Sequence, residues 1–323
     1  MNILKKIKKI STENGDRIAI KSDDSCLSYG QLDAYSDKLA AWIYRNYGDT
    51  KTPVIVYGHK NPYMIVCFLA CVKAGKAYCP QDISIPDTRV EATVECVEPE
   101  VIFQVEGDIT LDNENVINLD KIKEIIEKEE ETAKVENWVK PDDTYYIIFT
   151  SGSTGKPKGV QITFDCLNNY LDWSVTLCGE VKENEIFNFG NQAPFSFDLS
   201  VMDLYTCLAL GGTLHTLTKK MQEDYNVMFN HFEEANLNVW VSTPSFADMC
   251  LADKKFCSTM MPNLKVFLFC GEVLTTSTTK KLQERFPDVK IINTYGPTES
   301  TVAVSDVLIT PELLEETMAK GKS

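Results

Sequence analysis

Residues 150–159 read TSGSTGKPKG, following the apolar segment YYIIF and running into GVQIT, and their types suit a polyanion. Gly152, Gly155 and Gly159 let the backbone come close to a ligand and reach left-handed conformations. Backbone N–H groups and the hydroxyls of Thr150, Ser151, Ser153 and Thr154 donate hydrogen bonds, while Lys156 and Lys158 add positive charge. The run reads as a phosphate cradle. It is not a P-loop, which needs four residues between its first glycine and a Gly-Lys-Ser/Thr ending. Here Pro157 stands where the hydroxyl should be, and it biases Lys156 away from the α region, so the run stays extended instead of opening a helix. The same residue types make flexible linkers. A mid-chain position between two apolar segments favours the phosphate reading.

Three further stretches carry groups able to meet a ligand. In NQAPFSFDLSVMDLY, residues 191–205, Asp198 is surrounded by Phe195, Phe197, Leu199 and Val201. A carboxylate in such surroundings needs a partner. The free N–H groups of the following helix can supply it, with Asp198 as N-cap, and so can the ammonium of a ligand; the two are not exclusive. Gly211 and Gly212 suit the end of that helix. In NTYGPT, residues 293–298, Gly296-Pro297 signals a turn and Tyr295 offers a flat face for a base; Glu299, next in sequence, offers hard oxygen ligands for Mg2+. A plain turn with a surface acid would look the same. In LFCGEV, residues 268–273, Cys270 has no histidine beside it and reads as a pocket or core residue, not a nucleophile. Gly271 permits close approach of a ligand.

Positioning these groups requires a scaffold, and the pattern supplies one. β-prone runs occur at 17–20, 53–57, 101–105, 144–149, 186–189, 239–242, 265–270, 290–293 and 301–309. Stretches of helical length and period lie between them, at 29–47, 63–74, 199–209 and 277–286. Such alternation implies crossover connections and an α/β fold with largely parallel sheets. The break at Lys140–Pro141 divides the chain into two packed α/β subdomains, 1–140 and 141–323, the second carrying the phosphate loop and the other motifs. Residues 121–136 read as a solvated helix followed by a linker. The last thirteen residues read as a polar helix with nothing after it to close an active site.

The composition narrows the function classes. The chain has 323 residues, 44% hydrophobic and 24% charged, with a net charge of −15. An acidic body with a locally basic loop fits a small anionic ligand and argues against nucleic acid. Ile3, Leu4, Ile7 and Ile10 alternate with lysines at helical spacing, which suits a docked terminal helix and not a signal peptide. No membrane span is predicted. The 11 cysteines form no CxxC pair, which suggests reduced, mostly buried thiols in the cytoplasm. His59, His215 and His231 are too few and too scattered to support a zinc site or a Ser-His-Asp triad.

With these motifs in order, the chain resembles the adenylate-forming superfamily. TSGSTGKPKG is similar to its phosphate-loop signature, and NTYGPTE to its adenine and magnesium signature. LSYGQLDAYSDKLA from Leu27 and VKAGKAYCPQD from Val72 are similar to structural motifs of the amino-acid-activating branch. APFSFDLSVMDLY, VSTPSFADMCL, FLFCGEVL and NTYGPTESTVAV resemble members of that branch that handle D-alanine. The resemblance implies activation of D-alanine by ATP and Mg2+ to D-alanyl adenylate. It then implies transfer to the phosphopantetheine thiol of a D-alanyl carrier protein, feeding teichoic acid D-alanylation.

By resemblance, Thr150, Ser151, Gly152, Ser153, Thr154, Gly155 and Lys156 hold the phosphates. Asn293, Thr294, Tyr295, Gly296, Pro297 and Thr298 hold the AMP portion, with Tyr295 against adenine. Glu299 ligates magnesium, and Asp198 takes the substrate ammonium. Cys270, Gly271 and Val302 line the small amino-acid pocket beside Met202. The family's catalytic lysine belongs to a C-terminal domain with no counterpart after Val302, so a weakly active N-terminal portion is expected. Two other readings are an adenylation domain for another small amino acid and a non-catalytic nucleotide- or carrier-binding module.

Overall fold

The computed structural model describes the chain except residues 24, 109–114, 152–156, 181–184 and 320–323; for 151 and 317–319 it describes backbone alone. The chain folds into two compact units, one of residues 1–169 with 194–197, the other of 170–193 with 198–323. Each has its own sheet, mostly parallel, as the alternation of strand and helix requires.

The first unit begins with α1 (Ile3–Glu13), whose Asn2 cap accepts from Lys5 N and whose Ile3, Leu4, Ile7 and Ile10 are buried, so the helix is docked. A hairpin of β1 (Ile18–Lys21) and β2 (Cys26–Ser28) leads into α2 (Tyr29–Tyr47). LSYGQL encodes the entry to α2: Ser28 accepts from Gln31 N while the Gln31 side chain accepts from Ser28 N, a capping box. There follow β3 (Val54–Gly58), α3 (Tyr63–Lys73), β4 (Tyr78–Asp82), α4 (Asp87–Val97), β5 (Ile102–Gln104), β6 (Val116–Asn118) and α5 (Leu119–Lys128). The unit's last elements are β7 (Thr144–Ser151), β8 (Pro157–Thr163) and the start of α6 (Phe164–Leu177). The sheet order is β6-β5-β3-β4-β7-β8, parallel except for the final β7–β8 pair. Because β7 pairs with β4, the strands flanking the phosphate motif belong to this unit, and the chain divides later than Lys140–Pro141.

The motif VKAGKAYCPQD holds a buried charge cluster. Lys73 is 1% exposed, and its ammonium donates to Asp33 Oδ1 (2.8 Å), Asp37 Oδ1 (2.7 Å) and Ser36 Oγ (2.9 Å). Lys8 of α1 reaches the same carboxylates at 3.1 and 2.7 Å. Three helices are tied at one point. Lys76, also buried, bonds Glu100 (3.0 Å) and the carbonyl of Thr50 (2.9 Å).

The second unit carries β9 (Asn188–Asn191), α7 (Leu199–Leu210), β10 (Thr213–Thr216), α8 (Lys219–Glu223), α9 (Tyr225–Ala235), β11 (Val239–Ser242) and α10 (Pro244–Leu251). It continues through β12 (Val266–Phe269), α11 (Thr276–Arg285), β13 (Lys290–Tyr295), β14 (Ser305–Leu308) and α12 (Pro311–Ala319). Its strands lie in the order β14-β13-β12-β11-β9-β10, all parallel but for β14. One face packs on an aromatic cluster in which Trp240 meets Phe232, Phe256 and Phe267 at centroid distances of 4.9–5.9 Å. α7 is buried from Leu199 to Ala209 and stops at Gly211, which takes the left-handed conformation that ends a helix. The expected strand at 301–309 shortens to β14, because residues up to Val304 form a turn. No described helix is long and apolar enough to cross a membrane.

Candidate functional site

The ligand-binding edge of a parallel sheet is at the carboxyl ends of its strands, and in the second unit the singled-out residues gather there. β12 and β13 run side by side, with Phe269 opposite Asn293. The next residues are therefore Cys270 on one strand and Thr294 on the other. Thr294 is buried and donates to Phe269 O at 2.9 Å, which pins the two ends together. Gly271 has φ +89°, a conformation that a side chain would resist, although a Cβ would meet only Thr243 Cγ2, at 3.7 Å.

Cys270 is 4% exposed and donates its thiol to Val302 O at 3.8 Å. Burial pushes its thiol up, and the Asp198 charge adds to that against a hydrogen bond from Thr294. The thiol is thus protonated at neutral pH. Val302 and Met202 are also buried. Met202 lies one helical turn beyond Asp198 and so shares its side of α7.

Asp198 stands at the start of α7. The residue sits at the N-cap position of α7 but with αR dihedrals, and its side chain makes no cap hydrogen bond. An ordinary cap needs the extended conformation, but the half-buried carboxylate still accepts from the Leu199 N–H at the start of α7, as well as from Thr298. Burial pushes it above the usual carboxylate range, Thr298 pulls the other way, and the nearby Glu299 charge raises it further. The cluster of Asp198, Thr298, Glu299, Cys270 and Val302 thus forms from α7, the end of β12 and the loop after β13.

That loop joins β13 to β14 through residues 296–304, with a 3-10 turn at Thr298–Ser300. A Cβ on Gly296 would stand 2.5 Å from Ala303 Cα, so only glycine lets the two arms of the loop come this close. Tyr295 is 72% exposed, an aromatic face open to a flat ligand. Asn293 Oδ1 is buried without a hydrogen-bond partner among the described residues, a position that suits an acceptor for a ligand donor. Pro297 and Glu299 are exposed. Glu299 is a hard oxygen donor, and no group of three metal-ligating side chains exists among the described residues.

In the first unit, β7 and β8 pair antiparallel, with Thr150 opposite Lys158 and Ser151 opposite Pro157. Pro157 opens the strand, the position where its missing N–H matters least. Gly152, Ser153, Thr154, Gly155 and Lys156 lie outside the described residues. Arg89 of α4 donates to Phe149 O at 3.3 Å, which places a cation near the end of β7. With 60 residues between the two, nothing in the sequence pattern pointed to Arg89. Nor did it point to the pairing of His59 with Asp82, whose Nδ1 and Oδ2 lie 2.6 Å apart across β3 and β4. Ser84 bonds that carboxylate and not the imidazole, so the order of a hydrolytic triad is not formed.

A family profile described as AMP-binding enzyme matches residues 7–321. The chain is 45% identical, over 98% of its length, to D-alanine--D-alanyl carrier protein ligase of Bacillus anthracis, and 44% identical to the protein of that name in Bacillus velezensis. It spans 62% of the length of each of these relatives. Among solved structures, it superposes on a nonribosomal peptide synthetase with a TM-score of 0.83 at 18% identity, covering 97% of this chain and 33% of the other. It also superposes on the N-terminal subdomain of Klebsiella oxytoca NpsA in complex with 3-hydroxybenzoyl-AMSN, with a TM-score of 0.79 at 19% identity, covering 95% and 76%. The structural matches bear on the fold.

Proposed function

The chain belongs to the AMP-binding enzyme family, and from that premise we propose that it activates D-alanine with ATP to D-alanyl adenylate and pyrophosphate. The acyl group then passes to the phosphopantetheine thiol of a D-alanyl carrier protein, in the cytoplasm, and feeds D-alanylation of teichoic acids. One observation supports this reading: Asp198 is a half-buried carboxylate that burial raises above its usual range, close to the Thr298 hydroxyl, the Glu299 charge and Cys270.

The substrate carboxylate attacks the α-phosphorus, a new C–O–P bond forms, and pyrophosphate leaves with the electrons of the broken P–O bond. No protein nucleophile is needed, so the work of the chain is positioning and charge stabilisation. Asp198 orients the amino acid by its ammonium. Cys270, Met202 and Val302 limit the side chain, with Gly271 making room. Thr150, Ser151 and the loop through Lys156 bind the phosphates. Asn293, Thr294, Gly296, Pro297 and Thr298 hold the nucleoside, and the Tyr295 ring lies against adenine. Glu299 would hold Mg2+, which when bound offsets phosphate charge.

Amino-acid-dependent exchange of labelled pyrophosphate into ATP, compared across D-alanine, L-alanine, glycine and D-serine, tests the reading. D-Alanine is expected to lead, with leakage to its neighbours limited to about 10–200-fold per methylene-sized difference. Exchange led by another of these would reassign the substrate. No exchange, together with no binding of a D-alanyl sulfamate analogue of the adenylate, would sink the reading.

A further inference from the structure

The loop after β13 holds two adjacent non-glycine residues at positive φ, Thr301 at 62° and Val302 at 70°. Both are β-branched, the class for which that region is a true outlier. Each such residue stores backbone strain. Ala303 N donates to Thr301 O at 2.8 Å. This closes a three-residue γ-turn about Val302, in the rare and strained form with positive φ at its centre.

Such a conformation persists only where the surroundings over-determine it, and here four restraints do. Thr301 N donates to Thr298 O at 3.2 Å, and Val304 N to Tyr295 O at 2.9 Å. The thiol of Cys270 donates to Val302 O. Gly296 packs so closely that a Cβ on it would lie 3.0 Å from the same oxygen. Thr301, Val302 and Ala303 are all buried. A segment whose residues favour a strand is thus held off the sheet until Ser305.

Building on the amino-acid pocket of the preceding section, we propose that this strained turn is a specificity device. It fixes the depth of the Val302 wall, so that the size limit on the substrate side chain is set by the backbone of Thr301 and Val302 as well as by the valine methyl groups. A relaxed turn would let the wall recede and admit one more carbon. Thr301 is a positioning residue here, acting through its neighbour.

The test compares wild type, Thr301→Gly and Thr301→Asn by calorimetry, using sulfamate analogues of D-alanyl and D-2-aminobutyryl adenylate as probes. Glycine frees φ, whereas asparagine tolerates the left-handed region and keeps the turn set. Wild type is expected to prefer the alanyl probe at least about tenfold. Thr301→Gly should reduce that preference roughly tenfold, chiefly by tighter aminobutyryl binding, while Thr301→Asn stays within about twofold of wild type. Should Thr301→Gly not fold, Ala303→Pro, which removes the N–H closing the turn, is expected to give the same shift. A folded Thr301→Gly or Ala303→Pro protein with the wild-type preference overturns the proposal. An asparagine variant as permissive as the glycine one does so too, because side-chain loss would then be the cause. Wild type that binds neither probe overturns the amino-acid reading itself and the inference with it.

Discussion

Replacing Asp198 with asparagine should weaken binding of the D-alanyl sulfamate probe by about 30-fold or more. Removing one partner of a desolvated charge pair costs roughly 2–5 kcal/mol, and each 1.4 kcal/mol is tenfold in affinity. The carboxylate fits this role because burial has already stripped part of its water, so an ammonium replaces little solvation and gains a strong Coulombic partner. The pH dependence gives a second readout. Burial, opposed by Thr298 and reinforced by Glu299, holds Asp198 above the usual carboxylate range. As pH falls through that raised value the group takes up a proton and can no longer pair with an ammonium. Wild-type affinity should therefore fall toward acid pH from a higher starting point than an ordinary aspartate would show, and Asp198→Asn should remove that component. An asparagine variant that keeps both the affinity and the acid-side loss would rule Asp198 out as the ammonium partner.

The largest effect on stability is expected in the first unit. Lys73→Met leaves Asp33 and Asp37 facing each other with Lys8, itself half exposed, still beside them. Breaking a buried pair by removing one partner costs about 3–5 kcal/mol, which for a domain of this size is a fall of roughly 6–20 °C in melting temperature. The sign with pH can be stated. Burial alone would push Asp33 up, but Lys73 and Lys8 together hold it below its ordinary value. Its contribution to stability is therefore present above the unfolded-state value of about 3.9 and is lost as pH falls through the lower, folded-state value. Without Lys73, burial dominates and protonation of Asp33 relieves the variant. The deficit between wild type and Lys73→Met should then shrink as pH is lowered toward about 4, near that unfolded-state value, as melting curves across that range would show. A deficit that is absent at neutral pH, or that grows on acidification, would contradict the account.

Much of the fold could be read from periodicity, since α2 and β11 fall on the expected residues and α3, α7 and α11 within a residue or two. What escaped was short or masked by polar residues. β4 contains Pro80, Gln81 and Asp82, so its buried, parallel setting leaves no apolar run to detect. β14 begins four residues late because the preference of Thr301, Val302 and Ala303 for extended backbone yields to tertiary restraints that no local pattern encodes. At the site, residue types were legible and contacts were not. Asp198 stood out because its neighbours are apolar, yet its bond to Thr298 spans a hundred residues of sequence. Arg89 and the His59–Asp82 pair were missed for the same reason: they meet only through strand order. Lys73 and Asp33 looked like ordinary helix charges and became a buried cluster once three helices converged.

The burial of Cys270 bears on where an acyl group can go. Under the function proposed above, the aminoacyl adenylate is an electrophile, and a thiol lining its pocket would rival the thiol meant to receive the acyl group. Attack requires the thiolate, and desolvation keeps Cys270 in the protonated form. Its proton is further engaged by Val302 O. Under that proposal, the packing around Cys270 would also guard against self-acylation, leaving the product for an acceptor thiol that ionises in solvent.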